Sequence, residues 1–362
     1  VAVLLGHADG INGYFMIGGS IAVQAFYILS GFFITMILNE KYVVGAHNGR
    51  FYLSRGLRIF VVYWTCLALT LVGSVFIFRL KHSGPIAIWD NHWKQLSVTS
   101  IAELIFSQIF LFGQDTILFL ARTGDHFTFT TNFGASDPPL FRFMLLPQAW
   151  SLPIELSFYI IAPFIVRKSV WILSAVFGIS LCARLVGAQF GLIGDPWSYR
   201  FFPFELAFFM AGALAYHLYK RVPKVSHFGI ASFGIFAAAI LYPLYGETTA
   251  DTVFDPGRLI FLACVAIGIP ALFAITGRSA IDHAVGELSF PFYLLHLLVL
   301  DGLKAWRSLF LEHHTLYVLI AIMTTVFVSA VIVRFVDLPI NRLRHRLVPS
   351  DLPTGLGRTQ SL

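Results

Sequence analysis

A handful of ionisable side chains lie within the long apolar runs of this sequence, and they are the ones that can do chemistry. They are His7, Glu155, Glu205, Glu287 and His296, with Asp9, Arg184, His217 and Asp301 nearer to the ends of runs. A central charge in a membrane helix costs about 2.5–3.5 kcal/mol on insertion scales, so each such position calls for a task or a partner. His7, in VAVLLGHADG, can take a proton from a hydroxyl and pass it on as a neutral imidazole, or it can pack between helices on one hydrogen bond. Glu155, in WSLPIE, can orient a histidine as the acid of a triad does, or stay protonated against a neighbouring helix. Pro153 beside it is expected to loosen the helix and free backbone groups. His296, in FYLLH, and Glu205 read first as packing residues.

A second kind of chemistry is carried by the arginine pair Arg55 and Arg58, three residues apart on what reads as one helical turn. Two guanidinium forks on one face, at the depth of a membrane surface, serve either as an anchor or as a clamp for phosphates. The stretch 26–64 places this pair. An apolar segment with a Ser30-Gly31-Phe32 break runs into a short polar loop, and the arginines then lead into a second apolar segment. The break reads as small residues letting two helices approach, with the Ser30 hydroxyl available to line a substrate path. Other site classes find no support: there is no Gly-rich phosphate loop, His-x-x-x-His, Cys-x-x-Cys or Gly-x-Ser-x-Gly, so nucleotide hydrolysis, zinc and a serine-hydrolase triad are not first readings.

The elements that position these residues follow from composition. With 57% hydrophobic and 12% charged side chains over 362 residues, the chain is a polytopic membrane protein, all-α, a helical bundle. Cys66, Cys182 and Cys264 each fall in apolar runs and act as small hydrophobes. The net charge of +6 belongs to the ends of spans rather than to a nucleic-acid surface.

Runs of roughly 17–25 apolar residues can cross hydrocarbon. They are the tail of one at Val1–Gly6, then Ile21–Leu38, Leu57–Phe78, Gln148–Val166, Val170–Ala188, Phe201–Tyr219, His227–Leu244, Arg258–Thr276, Val285–Leu303 and Leu316–Val336. About ten transmembrane helices result, and the chain reads as starting inside its first span, its N-terminus truncated. Lys and Arg gather in alternate loops: Lys41, Arg50, Arg55 and Arg58; Arg167 and Lys168; Lys220, Arg221 and Lys224; Arg278; then the tail. Both termini are therefore expected in the cytoplasm. This parity requires residues 79–147 to add an even number of crossings, so Ile101–Ala121, interrupted by Glu103, Gln108, Gln114 and Asp115, is expected to be interfacial or re-entrant. Gly124–Pro139 reads as loop. Residues 1–346 are expected to form one integral membrane domain and 347–362 a short cytoplasmic tail, with no appended soluble domain expected.

Five pieces in order then resemble one family. His7 in the first span, Ser30-Gly31-Phe32, Arg55-Gly-Leu-Arg58, WSLPIELSFY at 150–159 and FPFYLLHLLV from Phe290 together resemble the acyltransferase-3 family of integral membrane acyltransferases, over essentially the whole chain. The resemblance implies an enzyme with ten spans in the inner, plasma membrane. It would move an acyl group, commonly acetyl, from cytoplasmic acyl-coenzyme A as co-substrate, without a metal, to a hydroxyl of an extracytoplasmic glycan, lipid-linked glycan or related acceptor. Membrane lipid is its surround and nucleic acid is no partner. By position, His7 corresponds to the catalytic histidine and Glu155 to the acid of the Trp-Ser-Leu-x-x-Glu motif. Arg55 and Arg58 correspond to the pair linked to the acyl donor. Apart from the resemblance, Ser30 and His296 are expected along the substrate path. The second acid that often follows the glutamate is Leu156 here. The family's basic residue eleven positions before the histidine would precede Val1. A secondary transporter also uses midplane ionisable residues and broken helices, and is the alternative; no repeat between the two halves favours it.

Overall fold

The computed structural model describes residues 1–11, 16–43, 45–221, 255–304 and 313–347. The expected span His227–Leu244, with Lys224, Glu247, Asp251, Glu312 and the tail beyond residue 347, lies outside the described residues.

The described chain is mostly helical. The helices are α1 (Ala2–His7), α2 (Gly19–Glu40), α3 (Asn48–Lys81), α4 (Pro85–His92), α5 (Val98–Phe110), α6 (Ser151–Ile165), α7 (Val170–Gln189), α8 (Phe202–Arg221), α9 (Pro256–Thr276), α10 (Ala280–Lys304), α11 (His314–Ile332) and α12 (Leu338–His345). A π-helical turn, Val333–Asp337, joins the last two. Among the described residues, six helices are long and apolar enough to cross a membrane: α2, α3, α7, α9, α10 and the continuous His314–His345. The large apolar side chains left exposed on them, among them Val72, Phe76, Trp171, Ile179, Ile260 and Phe327, are what a hydrocarbon surround accepts. A multi-pass membrane protein follows.

α2 is the central helix. Of its apolar window 67% is buried, against 22% for α7 at the periphery. It packs most extensively on α8, and glycines permit the approach. A Cβ on Gly31 would stand 2.0 Å from the Phe209 carbonyl oxygen, and one on Gly212 would stand 2.0 Å from that of Ile28. The expected break at Ser30-Gly31-Phe32 does not occur. The helix runs through without interruption, because hydrogen-bonded backbone is the cheaper state in an apolar setting and Gly31 serves contact rather than bending.

A buried polar knot ties four helices at one end of the bundle. The Arg184 guanidinium (α7) donates to Glu205 (α8) at 2.9 Å, Gln24 (α2) donates to both Glu205 oxygens at 3.1 and 2.9 Å, and Arg258 (α9) donates to Gln24 Oε1 at 2.8 Å. Glu205 is thus the partner of an internal arginine, a structural role.

Residues 79–147 fold as a cap with its own small core of Leu96, Leu104, Ile117, Leu140, Phe143 and Met144. Ser97 caps α5 by accepting from Ser100 N at 3.2 Å. The expected helix Ile101–Ala121 is shorter than its apolar content suggested. It stops at Phe110, because Leu111 and Gly113 take positive φ (65° and 85°), and Ala121 lies in a strand. That strand, β1 (Leu120–Thr123), pairs antiparallel with β2 (His126–Phe129), so part of the expected loop Gly124–Pro139 is hairpin. The Asp125 carbonyl in its turn accepts from Ser97 N and Ser100 Oγ, each at 2.9 Å, which anchors the hairpin to α5. Pro153 also differs from expectation. It lies in the first turn of α6, where its missing N–H leaves no carbonyl unpaired, and the proline inside that helix is Pro163.

Candidate functional site

The arginine pair sits near the start of α3. Arg55 is 8% exposed and its Nε has no hydrogen-bond partner, whereas Arg58 is exposed. Electrostatic neighbours of Arg55 are Tyr159, Arg58, Tyr42 and Glu155. A third arginine arrives from the far end of the chain: Arg344 of α12 donates from Nε to the Ser54 carbonyl at 2.8 Å and to the Ser54 hydroxyl at 3.3 Å. Lys41, just past α2, completes the group. Burial, then the charges of Arg55 and Arg344, hold its ammonium below the ordinary lysine range, with Glu40 pulling the other way. Four cations, Lys41, Arg55, Arg58 and Arg344, therefore gather with three carboxyl groups, Glu40, Glu155 and Asp337. Arg55 makes no ion pair among the described residues, and a buried guanidinium with a donor to spare is the chemistry of an anion site.

From this cluster a polar stripe climbs α6. Ser151, Glu155 and Tyr159 stand at i, i+4 and i+8, one face of the helix, spanning about 12 Å at 1.5 Å per residue. Glu155 accepts from Ser30 Oγ of α2 at 3.1 Å and from the Tyr159 hydroxyl. Among the described residues no hydrogen bond joins Glu155 to His7, and the charges acting on its carboxyl group are those of Arg58 and Arg55. At the upper end, Ser151 Oγ lies 2.9 Å from the Tyr293 hydroxyl, which donates to the Gln148 carbonyl. Gln148 Nε2 donates to the Leu294 carbonyl at 2.5 Å. The Pro147–Trp150 turn is thereby clamped to α10.

His7 closes the site. It lies exposed at the end of α1, its ring centroid 5.3 Å from that of fully buried His296 on α10. Packing explains the meeting: Leu4, Leu5 and Ala8 join Phe292, Leu300, Tyr317 and Val318 in one cluster. His314 Nε2 donates to the Gly10 carbonyl at 2.9 Å, holding the exit of α1. Arg200 lies within electrostatic range of His7. It makes a two-pronged pair with Asp195 at 2.6 and 3.1 Å and lies 4.2 Å over the Trp150 ring.

The comparisons with known proteins bear on this arrangement. The family profile described as an acyltransferase domain, Acyl_transf_3, matches residues 1–334. The chain belongs to the acyltransferase-3 family. Among relatives of this acyltransferase, Acyltransferase MdmB of Streptomyces mycarofaciens is 25% identical over 306 residues, covering 78% of this chain and 68% of the relative. Nodulation protein 10 of Rhizobium leguminosarum bv. viciae is 24% identical over 366 residues, covering 95% of this chain and 89% of the relative. No solved structure matches the chain. Family membership sets the transporter reading aside.

Sequence reasoning on this acyltransferase placed His7, His296, Glu155, Ser30, Arg55 and Arg58. The structure brings them into two groups, His7 with His296, and Glu155 and Ser30 with the arginines. It missed Arg344, counted only among the basic residues of the tail, and Tyr159, Ser151 and Tyr293. The Ser-x-x-x-Glu-x-x-x-Tyr spacing within WSLPIELSFY was the available signal for the α6 stripe.

Proposed function

We propose that this acyltransferase transfers an acyl group, acetyl in the simplest case, from cytoplasmic acyl-coenzyme A to a hydroxyl of an extracytoplasmic carbohydrate or related acceptor. It sits in the inner, plasma membrane with ten spans and both termini in the cytoplasm. The observation that carries this reading is the α6 stripe, which runs from the arginine cluster at one end to Tyr293 and, through it, to the histidine pair at the other. The diphosphate and 3′-phosphate of coenzyme A dock on Arg55 and Arg58, and the pantetheine arm follows Tyr159, Glu155 and Ser151 towards His7. There the acceptor hydroxyl gives its proton to His7 as its oxygen bonds to the thioester carbon. The carbon–sulfur bond breaks, and the coenzyme A thiolate leaves with the proton from His7. Glu155 offsets the arginine charge along the path when no donor is bound.

The arginines supply the test, because a charge anchor and a phosphate fork respond differently to lysine. Arg55→Lys with Arg58→Lys keeps the charge and loses the fork. Losing a charge-assisted contact costs about 1.5–3 kcal/mol, so the apparent KM for acetyl-coenzyme A rises about tenfold or more while membrane insertion is unchanged. A double variant with the parent's KM would return the pair to a topological role.

A further inference from the structure

His296 has its proton fixed by geometry. A backbone carbonyl can only accept, so the 2.7 Å contact of His296 Nδ1 with the Tyr293 carbonyl places the ring proton on Nδ1. Nε2 is then a bare acceptor. It is fully buried, with no hydrogen-bond partner in the structure. Buried acceptors are paired as a rule, so an orphan in a candidate site points to a partner acquired in use. The ring of His7 is adjacent, 5.3 Å between centroids at a 31° tilt.

We propose that His296 is the positioning residue of His7: its Nε2 accepts the His7 N–H, which leaves the other His7 nitrogen bare and aimed at the acceptor hydroxyl. This rests on the reading of His7 as the base. The role is that of the orienting acid in a triad, filled by a neutral imidazole. Glu155 is poorly placed for it, being bonded to Ser30 and Tyr159. The support behind His296 is continuous. Gln148 and Ser151 engage the Tyr293 hydroxyl, the Tyr293 carbonyl fixes the His296 tautomer, and His296 in turn fixes that of His7. During transfer the acceptor proton goes to His7 and from there to the departing thiolate. His296 neither gains nor loses a proton. As His7 becomes cationic, its N–H bond to Nε2 becomes charge-assisted and strengthens, which places the benefit in the transition state.

Two substitutions separate the acceptor atom from the bulk of the ring. His296→Asn retains a donor near the Nδ1 position and has nothing at Nε2, whereas His296→Gln carries its amide oxygen out to that position. Both are made in the parent and in the His7→Ala background, in nanodiscs, with kcat and KM for acetyl-coenzyme A as readouts and thermal unfolding as the check on folding. Expected are a kcat lower by about ten- to a hundredfold in His296→Asn at unchanged donor KM, and recovery of most of that loss in His296→Gln. In the His7→Ala background His296→Asn should cause no further loss, because its partner is already gone. Multiplying losses in the double variant, or a Gln variant that is folded yet as slow as the Asn variant, would overturn the proposal. Where the Asn variant fails to insert, the Gln variant decides: most of the parent's kcat supports the proposal, and a rate as low as that of His7→Ala defeats it. A parent protein that releases no coenzyme A would be a different failure, that of the transfer reaction itself.

Discussion

Arg344 reaches across 290 positions of sequence to donate to the Ser54 carbonyl at 2.8 Å, and this sets its guanidinium beside Arg55. The contact makes α12 a wall of the arginine cluster, although its residues read from sequence as a basic tail. If the cluster takes the donor's phosphates, Arg344 shares in the contact. Arg344→Gln is expected to raise the KM for acetyl-coenzyme A about five- to tenfold, with little change in kcat at saturation. Arg342→Gln, on the exposed face of the same helix, should leave both constants unchanged. Steady-state kinetics on the two variants checks this, and equal effects would mean that charge alone matters.

The α2–α8 contact predicts a stability effect with an internal control. A methyl group on Gly31 would collide with the Phe209 backbone, which cannot move aside, so Gly31→Ala should cost about 1–3 kcal/mol and move Ser30 away from Glu155. At Gly56, between the two arginines in the interior of α3, an added Cβ meets nothing within 4 Å, and Gly56→Ala should melt no lower than the parent, with a gain of about 0.5–1 kcal/mol from helix propensity. Thermal unfolding in detergent distinguishes the two. Parent-like melting of Gly31→Ala would contradict the close approach.

Apolar run lengths located α2, α3, α7, α9 and α10, because hydrocarbon thickness sets a length that sequence displays directly. Ionisable residue types in apolar runs singled out His7 and Glu155, the spacing of two arginines singled out Arg55 and Arg58, and the family resemblance attached roles to them. What stayed hidden was pairing across helices. Nothing local in the sequence says that His296 meets His7, or that Arg344 meets Arg55, since those meetings depend on the packing of α1 and α12 against distant partners. The hairpin at Leu120–Phe129 was missed for a related reason. Its strands have four residues each and are held by the carbonyl of Asp125 rather than by an alternating apolar pattern.

The cap formed by residues 79–147 predicts a pH effect. Burial pushes the Asp115 carboxyl up to about 6 from an ordinary value of 3.8. The folded cap thus prefers the protonated acid: its contribution to stability is full below about pH 4 and is lost as pH rises through about 6. Asp115→Asn should match the parent near pH 4 and resist limited proteolysis of the cap better than the parent at pH 7.5. A constant difference between the two proteins across that range would refute the assignment.

The central claim is that donor and acceptor meet from opposite faces of the membrane along α6. Sealed inside-out vesicles containing the protein expose the cytoplasmic face, so acetyl-labelled acetyl-coenzyme A can be supplied there alone. The account predicts coenzyme A release together with alkali-labile label on carbohydrate enclosed in the lumen, both absent from vesicles with His7→Ala and both reduced at low donor concentration by Arg55→Lys with Arg58→Lys. Undiminished release from the His7→Ala protein, or label confined to molecules on the donor's side, would contradict it.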